Sequence, residues 1–181
     1  MTTDDDLDAA LAEALSTLVS ALGTAQLERT KVGHLRLRDG DLVIDFHSAA
    51  HLNEIQPAVA IATPSGLERL SLDAVQGWLE EPVHAYMFNE ANLQAGCRRA
   101  AHFAEKVIDR FRRDPASARN AIRAIERRRI DRFQINEIRQ DANEAWARQD
   151  FALARALYEK VGDDLTPVER KRLDIAKRKP A

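Results

Sequence analysis

The stretch "DFHSAAHLNE", residues 45–54, holds the side chains best typed for chemistry. His47 and His51 stand four apart, and Glu54 follows three later. On a helix such positions share one face, so two imidazoles and a carboxylate would converge as metal ligands. Zinc and similar divalent ions accept that donor set in a tetrahedron. Asp45 or His34 would add a further ligand from the preceding segment. The spacing demands a helix from 47 to 54. Ser48 is also placed to cap a helix beginning at Ala49, which would leave His47 outside it. The plainer expectation is therefore a strand-end histidine followed by a surface histidine. There is no His-Glu-x-x-His signature with an internal base.

Other reaction classes find less. Cys97 lies on an apolar helix face, where a free cysteine is usually a small core residue. No GxSxG elbow is present, nor a P-loop or GxGxxG, and the chain has only seven glycines. No cofactor is expected beyond a divalent metal at His47, His51 and Glu54. The run "EKVIDRFRRDPASARNAIRAIERRRIDRF" is rich in arginine. Arg127, Arg128, Arg129 and Arg132 are its candidate partner-binding residues, for a protein or for nucleic-acid phosphates. Asp109, Asp114, Glu126 and Asp131 interrupt it, and its phenylalanines are spaced as core. A solvated, salt-bridged helix face is the simpler expectation.

The balance of charge is uneven. The 181 residues carry a formal net charge of −2. Residues 1–97 hold 15 acidic and 5 basic side chains, whereas residues 98–181 hold 14 acidic and 22 basic. Acidic and basic halves can answer one another within the molecule or each seek a partner. One cysteine permits no internal disulfide, as expected of a reducing, cytoplasmic setting. The acidic start lacks the basic and apolar runs of a secretory signal, and no run of about 18 apolar residues predicts a membrane span.

The elements that must position these residues are read from periodicity. Leu7, Leu11, Leu15, Leu18 and Leu22 predict a first helix, capped by Thr2, Thr3 or Asp4 and ended by Gly23. "HLRLRDGDLVIDF" predicts a hairpin turning at Asp39-Gly40. That turn pairs Arg38 with Asp41, Leu37 with Leu42, Leu35 with Ile44 and His34 with Asp45. One face is then apolar and the other charged. A lone hairpin is marginal, so it needs helices or a third strand, for which "VHAYMF" (83–88) is a candidate. "PAVAIATPSG" reads as a short helix or an extended run, "LERLSL" as a short strand, and Ser71 as the cap of a short helix. From Asn89 onward the pattern is helical. Leu93, Cys97, Ala100, Ala104, Val107 and Phe111 form one face, broken at Asp114-Pro115. Ile122, Ile125, Ile130, Phe133 and Ile138 continue the apolar positions.

"ANEAWARQDFALARALYEKV", residues 142–161, resembles a tetratricopeptide repeat, a helical hairpin used to bind partner proteins. Ala142 and Ala154 fall at the small positions, Trp146 at a bulky aromatic one, and Asp150 and Phe151 at the turn and second-helix start. Tyr158 falls at a later packing position, and Gln149 stands where the family prefers glycine. A repeat is about 34 residues and arrays usually need three. No second copy is evident upstream. Thr166-Pro167-Val168-Glu169 is a capping box that starts one more helix.

The predicted fold is α+β and mainly helical. An N-terminal α+β part (1–89) with a small antiparallel hairpin or sheet precedes a C-terminal helical bundle (90–181) ending in the repeat-like hairpin, the two packed as one globular unit. The expected function is non-catalytic protein–protein interaction, as an adaptor, a chaperone or an immunity-type inhibitor of a cognate partner. Nucleic-acid binding through the arginine-rich helices at 110–132 ranks second. A metal-dependent enzyme built on His47, His51 and Glu54 ranks third.

Overall fold

The computed structural model describes residues 3–80, 86–87 and 92–179. The expected α+β architecture is present: an N-terminal helix, an antiparallel sheet, then a helical region. The chain divides into two compact units, Met1–Glu126 and Arg127–Ala181. That boundary lies well beyond the one expected between residues 89 and 90. The helical segments that follow bury the apolar face from Cys97 to Phe111, then Ala118 and Ile122, in the core of the first unit, which keeps them in it.

In the first unit, α1 (Asp4–Leu22) begins at Thr3, whose hydroxyl forms a capping box with Asp6. It ends at Gly23 in the left-handed conformation, φ 74°. Five strands then form a meander: β1 (Gln26–Lys31), β2 (His34–Asp39), β3 (Leu42–Ala49), β4 (Glu54–Thr63) and β5 (Gly66–Leu70). A two-residue strand, β6 (Tyr86–Met87), pairs with Glu54 and Ile55 of β4. Of the stretch 83–88, only residues 86 and 87 are described, and the proposed cap Asn89 lies outside the described residues. The hairpin's neighbours are β1 and β4, so the third strand comes chiefly from segments flanking it. "PAVAIAT" is extended, in β4.

The hairpin register differs from the predicted one. Gly40 and Asp41 make the turn, and Gly40 takes φ 58°. A two-residue turn with its only positive φ at the first central position suits glycine there. Leu37 therefore faces Ile44, Leu35 faces Phe46, Arg36 faces Asp45, and His34 faces His47. The slip is two residues, so every side chain keeps its predicted side of the sheet.

Leu35, Leu37, Ile44, Phe46, Val59 and Ile61 point inward. They meet Leu7, Leu11 and Leu15 of α1 and Phe103, Val107 and Ile108 of α3 (Leu93–Arg113). Helix α2 (Leu72–Leu79), capped by Ser71, adds Val75 and Trp78, and the start of α4 (Pro115–Ala147) adds Ala118 and Ile122. Two carboxylates fix this core. Asp8 is 1% exposed and accepts from the Gly33 amide at 2.8 Å, Ser48 Oγ at 2.6 Å and Arg29 at 2.8 Å. It thus holds the β1–β2 turn against β3. Gly33 sits at φ 75°, and a Cβ there would lie 3.1 Å from the Ser48 carbonyl. Asp39, turned inward, accepts from Arg112 Nε at 2.8 Å and Nη2 at 2.7 Å, and from Thr24 at 2.9 Å.

In the second unit, the later part of α4 turns back at Arg148–Asp150 into α5 (Phe151–Val161), and α6 (Pro167–Lys177) follows. Gln149 takes φ 62°, a left-handed conformation that glycine adopts without strain. Asp150 accepts from the Leu153 amide and caps α5. Ala142, Ala145 and Ala154 are fully buried around Tyr158, so two helices approach closely without a void. The Thr166–Glu169 capping box opens α6 as expected.

Candidate functional sites

The residues singled out for metal binding are not on one helix. His47 is in β3, His51 in a single 3-10 turn (Ala50–Leu52), and Glu54 opens β4. Asn53, at φ 53°, reverses the chain between them. A strand rather than a helix carries His47, so the i, i+4, i+7 geometry does not apply. His51 is exposed, whereas His47 is half-buried on the outer face of the sheet. Among the described residues no group of three or more His, Cys, Asp or Glu side chains is placed to hold a metal ion.

The sheet brings His47 instead to His34. The two are direct cross-strand partners, with ring centroids 4.2 Å apart and planes at 87°. Burial, the neighbouring His47 and Lys31 together make His34 harder to protonate than an ordinary histidine, against weaker opposing effects of Asp45 and Asp8. Asp45 is held by Arg36 through both carboxylate oxygens, at 2.7 and 3.0 Å. Gln56 of β4 continues the row beyond His47 and is exposed. Missing this pairing was a matter of register: a two-residue slip replaces Asp45 with His47 opposite His34.

Cys97 is fully buried, and burial pushes its thiol up to about 11. A thiol so placed stays protonated near neutrality and is a poor nucleophile. A shallow groove of about 470 Å³ runs between α1 and α3, with Ala14, Leu18 and Ala101 along it and Glu13, Arg98 and Glu105 at its rim. Its rim mixes both signs of charge, and His102 is engaged with Glu105 at 3.0 Å.

The candidate partner-binding arginines lie together in the second unit. Every residue from Arg127 to Gln134 is exposed, over two successive turns of α4. Ile130 is 47% and Phe133 63% exposed, so the expectation that they continue the core stripe is overturned. Ala142 and Ala145 pack inward from later turns of the same helix. At about 100° per residue, Phe133 projects from the side opposite Ala142, and Ile130 from about a third of a turn away. The spacing of five from Ile125 to Ile130 and from Phe133 to Ile138 is the sequence signal that the apolar stripe breaks here.

A buried polar network organises the rest of this unit. Tyr158 donates to Asn143 Oδ1 at 2.8 Å, and Arg172 donates to the same oxygen at 2.6 Å. Glu169 is 4% exposed and pairs with Arg139 at 3.1 Å. Burial pushes its carboxyl up, but the Thr166 amide and hydroxyl, Arg139 and Asn143 outweigh that and hold it below the ordinary range. Arg139 Nε makes only that ion-pair contact and no well-aligned hydrogen bond, while the other side chains of the network are hydrogen-bonded and read as architecture. No family model, no curated protein sequence and no solved structure matches this chain.

Proposed function

We propose that this protein acts by non-catalytic protein–protein interaction, as an adaptor, a chaperone or an immunity-type inhibitor of one cognate partner. The observation that carries the proposal is the Arg127–Gln134 surface, where Ile130 and Phe133 stand exposed among Arg127, Arg128, Arg129 and Arg132. Interfaces favour this composition: aromatic and aliphatic anchors that fill a pocket, with arginine beside them. The second unit carries 10 acidic and 14 basic residues, so its net charge of +4 favours an acidic partner. The repeat-like hairpin in the same unit adds a resemblance of the same kind. Phosphate backbones offer arginine a partner but give Ile130 and Phe133 no apolar pocket, which ranks nucleic acid second.

Affinity capture from the native host tests this. Wild type should recover a partner that the double variant Ile130→Ser/Phe133→Ser loses, with melting temperature unchanged. Failure to recover any partner across several conditions counts against the proposal. So does a double variant destabilised by more than about 2 kcal/mol, which would make these residues core. Titration with mixed RNA and DNA at two salt concentrations separates the second reading. Binding that weakens steeply with salt would favour phosphates instead.

A further inference from the structure

We propose that His34 and His47 form a two-histidine site for a late first-row divalent cation, copper(II) or zinc, on the outer face of the sheet. The proposal is independent of the partner-binding surface. It starts from the β2–β3 register, which sets the two imidazoles directly opposite each other on one face. Their ring centroids are 4.2 Å apart, edge to face. Two imidazoles on one tetrahedral ion, each nitrogen about 2 Å from it, place their centroids about 5 Å apart. A turn of the side chains that aims one nitrogen of each ring at a common point, with a small opening of the pair, admits the ion, while the backbone stays as the ladder holds it.

The chemistry of the donors fits. A metal needs the neutral imidazole, with its lone pair free. Asp45 is engaged by Arg36 and so is not an idle third ligand. The amide of Gln56, next in the row, and water remain for the other positions. Among the described residues no third His, Cys, Asp or Glu joins the pair. The site therefore exchanges its ion readily and is unlike a closed structural zinc centre, which uses four protein ligands. Copper(II) should bind more tightly than zinc, following the general order for nitrogen ligands.

The experiment is calorimetric titration of the full-length, untagged chain with copper(II) chloride or zinc chloride at pH 7.5 in a non-chelating buffer. One ion should bind per chain. His34→Gln and His47→Gln should each weaken binding at least about tenfold, and His51→Gln by less than about twofold. Circular dichroism checks that the variants fold. A second measurement needs no variant: substoichiometric copper(II) should broaden the ring resonances of His34 and His47 before those of His51 and His102. Unchanged affinity in the His34 and His47 variants, or His51 broadening first, overturns the proposal.

Discussion

The two compact units bury different kinds of side chain. The first closes over leucine, isoleucine and phenylalanine from a sheet and several helices. The second closes over Ala142, Ala145 and Ala154 around one tyrosine, with Val161, Leu165 and Leu173 beside them, and leaves Ile130, Phe133, Leu153, Val168 and Ile175 exposed. Size accounts for part of the contrast, because a domain of about 60 residues buries a smaller share of its surface than a larger one. The lesson concerns grouping. The first unit also exposes Val32, Leu52 and Leu67, one by one in its strands, turns and 3-10 segment, whereas Ile130 and Phe133 of the second stand together within one helical turn.

Mutations can break that contrast, the largest effect first. Phe46 is fully buried at the centre of the first core, so Phe46→Ala should cost about 3–5 kcal/mol in denaturant unfolding. A loss below about 1 kcal/mol would mean that this core is not where stability resides. Arg112→Ala leaves Asp39 without its main partner at 8% exposure, and should cost about 2–3 kcal/mol. Arg112 holds the Asp39 carboxyl below the ordinary aspartate range, burial opposes this, and Thr24 adds to it. The stabilisation from Asp39 is thus present above the unfolded pKa and disappears as pH falls through the folded one. The Arg112→Ala penalty should shrink on acidification accordingly. In the second unit, Tyr158→Phe removes a hydroxyl whose acceptor, Asn143 Oδ1, still receives a bond from Arg172, and should cost about 1 kcal/mol by thermal melting. A larger loss would give the small core more weight than its alanines suggest.

The smallest expected effect is a pH dependence confined to the first unit. His34 has its folded pKa lowered by burial, His47 and Lys31, so the native state binds its proton less well than the unfolded chain. Stability is full above the unfolded value and falls as pH drops through it toward the folded one. His34→Gln should flatten the stability profile between pH 7 and 5. An unchanged slope would place the acid sensitivity elsewhere.

Local signals were the most legible. The Thr3, Ser71 and Thr166 caps, the Gly23 stop and the Pro115 helix start depend on neighbours within a few residues, and all stand in the structure. Strand β1 was missed because an edge strand exposes most of its residues; of "QLERTK" only Leu27 is even half-buried. The faces of the hairpin were readable and its register was not, since alternation repeats every two residues. Ile130 and Phe133 matched helical spacing, but spacing says only that residues share or neighbour a face, not that anything covers it. The His34–His47 contact inherited the register error, so this close imidazole pair stayed hidden while the sequence pointed to His51.

That two-residue slip has an energetic side. Hydrophobic burial scores both pairings of β2 with β3 alike, because each keeps leucine, isoleucine and phenylalanine on the inner side. The apolar pattern is thus degenerate, and something directional must choose. Asp8, gripping the Gly33 amide and Ser48, and Asp39, gripping Arg112, are satisfied in the observed pairing. Polar groups in the interior of this sheet act less as glue than as a key: they select one alignment from two that oil alone could not tell apart.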